Sequence, residues 1–595
     1  MKNFFKKVGI MFFALFVTLF LLFVVMFGVV KTFSGKKAIT VAENSVLYMD
    51  LNGLEVKERH KDNPFANLPL SGMDDIKQIG LDEIIAALKR AKTDKNIKGI
   101  MLNAGPLMAG WASVESFRDA LEDFKTSKKF IYAYSEIYSE KSYYLATVAD
   151  SIFIYPQGFM EFNGIASNPM FYKGLLDKLD IQPLVFRVGT FKSAVEPFIL
   201  DKMSDANREQ MTTILNDIWN HFVGIVSKKR NISPETLTEL ANQGKIENAR
   251  SAVSAKLLDR IAYEDEVIEL CKKKCGTEPK KDLSQIKLGK YINVTDEQAG
   301  AKVSDSDKKI AVVYGVGDIN SGKGSDESIG SETIVKALRK ARTDDQVKAV
   351  VLRVNSPGGS ALASDVIWRE VILTKKVKPI IASYGDVAAS GGYYISAACD
   401  QIVAQPNTIT GSIGVFGLLF NSEKMFKNKL GITFDRVVTN SMADLGNPNR
   451  AMTEAEAKLI QKGVEDIYGV FLNVVKNGRP TKFQDTLAVD AVGQGRVWSG
   501  SRAIEKGLVD ELGGLNKAIF LAAKKAGLGE DYQVIYLPKE KEPFEALFDD
   551  GAEDVKNFIL EKLLLKEQKV ALRHLQNYND PRGIYMRMAA VPNID

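Results

Sequence analysis

The strongest apolar signal comes first. Val8 to Val30 is a run of 23 residues without a charge, preceded by Lys2, Lys6 and Lys7 and followed by Lys31, Lys36 and Lys37. A run of that length can cross a bilayer as a helix. A cleaved signal peptide has a shorter apolar stretch and a small-residue cleavage site, and neither is present. The pattern predicts an uncleaved membrane anchor over residues 1–37. The very short N-terminus is placed in the cytoplasm and the bulk of the chain outside it.

Beyond the anchor, short apolar runs alternate with amphipathic ones. Ser45–Leu51, Ile97–Leu102 and Phe130–Tyr134 read as strands, and Leu81–Ala91 reads as a helix with Ile84, Ile85 and Leu88 on one face. This alternation predicts an α/β architecture. A first unit is expected over 38–275. A polar connector follows over 276–309. A second unit, restarting at Ile310-Ala-Val-Val-Tyr314, is expected over 310–538. Residues 539–595 form a C-terminal extension whose stretch Val555–Leu575 reads as an amphipathic helix for docking or assembly.

The two units repeat one another at an offset of 250 residues. Leu88-Lys-Arg-Ala-Lys-Thr-Asp94 matches Leu338-Arg-Lys-Ala-Arg-Thr-Asp344, and Tyr143-Tyr144 and Asp150 match Tyr393-Tyr394 and Asp400. One offset held through a strand, a helix and a turn implies two copies of one fold.

The copies differ where chemistry is expected. Gly385-Asp-Val-Ala-Ala-Ser390-Gly-Gly-Tyr-Tyr394 suits a tight turn feeding a buried helix, with Ser390 at the helix N-terminus. Free N–H groups there stabilise an oxyanion, so Ser390 is a candidate nucleophile. Its counterpart is Glu140, a poor cap. A plain capping serine would be expected to have a capping counterpart. Asn355-Ser-Pro-Gly-Gly359 follows a strand, and Gly358 or Gly359, with Gly391, is the candidate oxyanion donor pair. The base is sought in the other copy. Lys192 lies amid apolar and small residues in Thr190-Phe-Lys-Ser-Ala-Val-Glu-Pro-Phe198. Burial would lower it from about 10.4 toward a useful range. Arg436-Val-Val-Thr-Asn-Ser441, the aligned stretch of the second copy, has no lysine. Ser412, in Thr410-Gly-Ser-Ile-Gly414, could hold the amine in line or could be a turn serine.

Charge and rare residues narrow the classes. A net charge of +5, from 79 basic and 74 acidic residues, makes no case for nucleic acid. The three histidines are scattered, which weakens a histidine-dependent triad. Cys271, Cys275 and Cys399 have no zinc spacing, so neither a metal nor another cofactor is expected. A Cys271–Cys275 bridge and two free thiols both stay open.

Four motifs in order carry a resemblance: Thr190–Phe198, Val354-Asn-Ser-Pro-Gly-Gly-Ser360, Ala389-Ser-Gly-Gly-Tyr-Tyr394 and Thr410-Gly-Ser-Ile-Gly-Val415. The chain resembles the signal peptide peptidase family in its long, tandem form. The resemblance implies two tandem crotonase/Clp-protease-like domains built as a ββα spiral. It implies a serine–lysine peptidase with Ser390 as nucleophile and Lys192 as base. It also implies a homotetramer in the bacterial inner membrane, with the bulk of the chain on the periplasmic side, acting on remnant signal peptides and other apolar peptides. An acyl-CoA enzyme and a non-catalytic membrane scaffold are the alternatives. The anchor and the serine–lysine pair argue against the first, and labelling of Ser390 by a serine-reactive probe would exclude the second.

Overall fold

The structure, a computed structural model, describes residues 17–18, 39–59, 77–301, 304–325, 328–539 and 584–588. The expected anchor lies outside these residues except for two positions, as does the expected helix Val555–Leu575. Among the described residues no helix is long and apolar enough to cross a membrane.

Two sheets, the first parallel and the second parallel except where Ile409–Gly411 meets Val497–Ser499, form the centres of the two units. In the first, the strands are ordered Arg260–Ile261, Ser151–Met160, Phe130–Tyr138, Ile97–Asn103, Ser45–Asp50 and Gln285–Lys287, all parallel. The second has eight strands. Its centre is Ile380–Ala389, Val347–Ser356 and Lys309–Val316, paired in parallel. Parallel strands buried on both faces need near-continuous apolar runs, and Val350, Val351 and Leu352 are fully buried. The helix Leu81–Thr93 turns Leu81, Ile84, Ala87, Leu88 and Ala91 inward, and the Gly80 N–H donates to the Glu83 carboxylate at 2.8 Å to close its first turn.

The repeat is visible in the elements themselves. Helices begin at 81 and 331 and at 111 and 361, and strands begin at 97 and 347 and at 130 and 380, each pair 250 apart. The chain is therefore α/β with two tandem related units.

Within the polar stretch 276–309, Gln285–Lys287 pairs with Ser45–Asp50, and the buried Tyr291 Oη donates to Asp94 at 3.0 Å. Those residues complete the first sheet. Cys271 and Cys275 are free and buried, which removes the bridge left open above. They sit one turn apart on the helix Glu264–Cys275, against Tyr132, Tyr134 and Phe153.

A third, seven-stranded sheet joins the units. Its order is Gly324–Ser325, Ser328–Gly330, Asp318–Asn320, Gly358–Ser360, Ile584–Arg587, Val415–Asn421 and Gln182–Val188. The last strand belongs to the first unit and crosses to pair antiparallel with Val415–Asn421 of the second. Side chains lock the same join. Asp386 accepts from the Ser113 N–H at 2.8 Å and from its hydroxyl at 2.6 Å, and Arg502 reaches Asp217 at 2.6 Å.

Candidate active site

The strand Ile380–Ala389 delivers Ser390 at its C-terminal end. The Ser390 backbone has φ 54° and ψ −114°. A non-glycine residue there carries a strain of about 1–3 kcal/mol. The surroundings hold it in place: its N–H donates to the Gly411 carbonyl and its carbonyl accepts from the Tyr394 N–H, both at 2.8 Å. The helix Gly391–Ser396 begins at once, and the serine side chain makes no capping bond to it. Glycine is required after the serine. A Cβ on Gly391 would lie 2.7 Å from Ser364 Oγ, and one on Gly392 would lie 2.7 Å from the Ser356 carbonyl oxygen.

The first unit corrects one expectation. Its helix Glu140–Ala146 does keep a cap, one residue upstream of the position paired with Ser390. Ser139 Oγ accepts from the Ser142 N–H at 3.3 Å, and Glu140 accepts from the Asn163 N–H at 2.9 Å. The contrast between copies lies in the serine's direction: Ser139 turns into its helix and Ser390 turns away.

Ser390 turns toward Lys192. The strand Gln182–Val188 runs along Val415–Asn421 in a seven-residue register from Asn421 opposite Gln182 to Val415 opposite Val188. The chain then turns at Gly189, with φ 104°, and the Phe191 N–H donates to the Gln494 carbonyl at 2.9 Å. This carries Lys192, 1% exposed, into the second unit. Its Nζ stands 2.8 Å from Ser390 Oγ, 3.0 Å from Ser412 Oγ and 3.0 Å from the Ser412 carbonyl oxygen. A neutral amine has one lone pair and two N–H bonds. Protonated, Nζ donates to all three oxygens; neutral, it has two N–H bonds for Ser412 and a lone pair that can accept from the Ser390 hydroxyl. Burial alone pushes the Lys192 pKa well below its usual value. The contact forms within one chain, and Lys192, Ser390 and Ser412 are all brought together.

Gly358, Gly359 and Gly391 gather beside the serine. The nitrogen of Gly391 lies 2.7 Å from where a Cβ on Gly358 would stand, and Gly358 and Gly359 have φ of 103° and 156°. The Gly358 N–H donates to Ser356 Oγ at 3.1 Å. Gly359 is held in the third sheet opposite Ile319 and Met586.

Several residues at the site carried no signal in the sequence. A Cβ on Gly495 would fall 2.6 Å from Lys192 Cβ and 2.6 Å from its backbone nitrogen, so only glycine admits the lysine there. Gln210 Nε2 donates to the Phe191 carbonyl at 3.1 Å and to Ser193 Oγ at 3.0 Å, fixing both neighbours of the lysine. Gly495 stands in Gly493-Gln-Gly495, a pattern as common in plain turns, and a lone glutamine on a long helix has no distinguishing pattern. His221 stays in the first unit, 3.0 Å from Glu115, while His60 and His574 lie outside the described residues.

Comparison with known proteins gives a consistent result. The family model described as Peptidase family S49 matches twice, over residues 123–278 and 372–529. The chain is 33% identical to Protease 4 of Salmonella typhi, over 97% of this chain and 95% of that protein. It is 33% identical to Protease 4 of Haemophilus influenzae, over 95% of each. It is also 33% identical to the chloroplastic serine protease SPPA of Arabidopsis thaliana, over 85% of this chain and 72% of that one.

Proposed function

Because the chain belongs to peptidase family S49 and is a serine peptidase, we propose that Ser390 is its nucleophile and Lys192 its general base. The observation that carries this reading is the 2.8 Å contact between Lys192 Nζ and Ser390 Oγ in a buried setting. The neutral amine takes the hydroxyl proton as Oγ bonds to the scissile carbonyl carbon. The developing oxyanion faces the N–H of Gly391 and that of Gly358 or Gly359. The lysine ammonium returns its proton to the leaving amine, and water then releases the acyl group. Ser412 holds the amine in line.

The substrates in this reading are apolar peptides, chiefly remnant signal peptides in the bacterial inner membrane. The uncharged run Val8–Val30 anchors the chain there in a single pass, with the bulk on the periplasmic side. Each unit is a crotonase/Clp-protease-like ββα spiral.

The repeat supports a ring of copies. In the alignment that sets Lys192 against Ser441, the crossing strand Gln182–Val188 corresponds to 431–437, and at the offset of 250 its partner Val415–Asn421 corresponds to 165–171. Neither counterpart forms a strand, and Ile432, Phe434, Val437 and Met170 are exposed. Pairing 431–437 of one copy with 165–171 of the next would repeat the join between units. A head-to-tail contact whose rotation closes makes a ring, and we take this one to close as a tetramer.

The test is peptide cleavage by purified Ser390→Ala and Lys192→Ala variants that remain folded. Both are expected to lose cleavage, and full activity in Ser390→Ala would refute the assignment.

A further inference from the structure

The motif Thr190–Phe198 contains one acidic residue that the reaction has not used. Glu196 is 1% exposed. Burying a carboxylate costs heavily unless its oxygens are bonded, and three neutral donors bond these. Ser204 Oγ donates to Oε1 at 2.5 Å, and the Ser204 N–H and Asn207 Nδ2 donate to Oε2 at 3.2 and 2.9 Å. Ser204 caps the helix Asp205–Arg230, its hydroxyl oxygen accepting from the Asn207 N–H at 3.2 Å. The carboxylate therefore sits against the first turn of that helix, where the dipole also favours a negative charge.

A carboxylate can only accept, and that sets the direction of two amides in turn. Asn207 turns its amide N–H bonds to Glu196 and so offers its carbonyl to Gln210, whose Nε2 donates to it at 3.2 Å. The same Nε2 donates to the Phe191 carbonyl at 3.1 Å and to Ser193 Oγ at 3.0 Å, on either side of Lys192. Gln210 Oε1 accepts from the Val497 N–H at 3.3 Å. Turned over, the Gln210 amide would set oxygen against the oxygens of Phe191 and Asn207, and N–H against the N–H of Val497. Glu196, Asn207, Gln210 and Ser193 are all buried, so water does not repair a wrong orientation. The helix that carries the relay is fixed in both units. Ile214, Ile218, Phe222 and Val226 pack in the first core, while Ser499 Oγ and Arg502 Nε of the second unit donate to Asp217 at 2.7 and 2.6 Å.

We propose that Glu196 is a positioning residue of the reaction: acting through Asn207 and Gln210, it fixes the turn that carries Lys192 against Ser390 and keeps water from the amine. This rests on the peptidase reading above. The effect reaches the base by two routes. With the relay broken, the turn Phe191–Ser193 is free to move, and a displaced amine meets the Ser390 hydroxyl less often at bonding distance. A looser turn also admits water, which favours the ammonium form and returns the Lys192 pKa toward its usual value.

The test is cleavage of a quenched apolar peptide by the full chain across pH, with circular dichroism checking the fold of each variant. Glu196→Met keeps the length of the side chain and removes both acceptors. Its kcat above the acid limb is expected to fall roughly 10–100-fold with KM held. The acid limb of kcat/KM should also move up by about one pH unit or more. Asn207→Asp sets a second carboxylate against Glu196 and should give the same two changes; altering a single atom, it serves where Glu196→Met does not fold. Glu196→Gln/Asn207→Asp puts a donor back opposite an acceptor and still presents an oxygen to Gln210. It should regain most of the rate and return the acid limb to its original pH. A residue that merely stabilised the fold would lower the rate equally at every pH and leave the limb in place. An unmoved limb in both single variants, or a double variant no faster than Asn207→Asp, overturns the inference and leaves the peptidase assignment standing. Cleavage at full rate by Ser390→Ala would instead count against that assignment.

Discussion

Arg353 and Glu58 meet as a double hydrogen bond, Nη2 to Oε1 at 2.8 Å and Nε to Oε2 at 3.0 Å, with side chains 2% and 3% exposed. Glu58 comes from the first unit. Arg353 lies on the strand leading to the glycine loop and also donates to Ser383 Oγ at 2.9 Å and to the Tyr384 carbonyl, both on the strand that ends at Ser390. The pair therefore ties the first unit to the two strands that carry the site.

Removing one partner leaves a buried charge without compensation. Glu58→Ala should lower stability by roughly 3–5 kcal/mol, read as an earlier midpoint in chemical denaturation. Replacing both residues with leucine should recover much of that loss. A Glu58→Ala midpoint equal to the unaltered chain's would show that the pair does not hold the units together.

The lowered pKa of Lys192 has two consequences of definite sign. Activity requires the neutral amine, so kcat/KM should fall as pH drops through the depressed value, and this acid limb should lie well below the usual 10.5. The unfolded chain binds the lysine proton more tightly than the folded one. Stability should therefore rise with pH between the depressed value and 10.5. Lys192→Met should abolish the acid limb along with roughly 10²–10⁴-fold of the rate. It should also be more stable than the unaltered chain at neutral pH, with the gap closing above the usual lysine range. Thermal melts across pH read the second effect, and a Lys192→Met variant less stable at neutral pH would contradict the buried neutral amine.

Ser412→Ala removes one of the two acceptors for the amine's N–H bonds and leaves the other, the carbonyl. A single bond of this kind contributes about 0.5–1.5 kcal/mol, so kcat should fall by roughly 2–10-fold. KM should hold, because Ser412 reaches the lysine and not the peptide. A change confined to KM would place Ser412 in substrate binding instead.

Gly495→Ala introduces a Cβ 2.6 Å from Lys192 at a φ of 76°. Nearby backbone must shift, and the left-handed conformation adds about 1–2 kcal/mol. Cleavage should drop at least as far as in Ser412→Ala, while far-UV circular dichroism stays unchanged. Normal cleavage would mean that the lysine has room the structure does not show.

The repeat and the serine turn were legible because they depend on local pattern. Apolar runs and amphipathic stretches recur at one offset, and the small residues around Ser390 are dictated by contacts under 3 Å. Lys192 was legible only through the comparison of copies, since its neighbours look like many solvated loops. The route of the lysine was not legible. Gln182–Val188 reads as a strand, but nothing in it says that its partner is Val415–Asn421, more than two hundred residues on. The Ile584–Arg587 strand was hidden for the same reason: four residues set no periodicity, and their value lies in the gap they fill. The free state of Cys271 and Cys275 depended on a helix whose apolar face needed both thiols.

The crossing strand also fixes when the site can first exist. Lys192 and Ser390 are 198 positions apart, and Gly495, which closes over the lysine, comes later still. In the Ser390–Lys192 reading, a nascent chain emerging from the ribosome carries its base for about a third of synthesis, 198 of 595 residues, with no nucleophile to activate. On that reading a chain halted anywhere before the second unit is made is expected to be hydrolytically inert, so unfinished copies would pose no danger to the proteins around them.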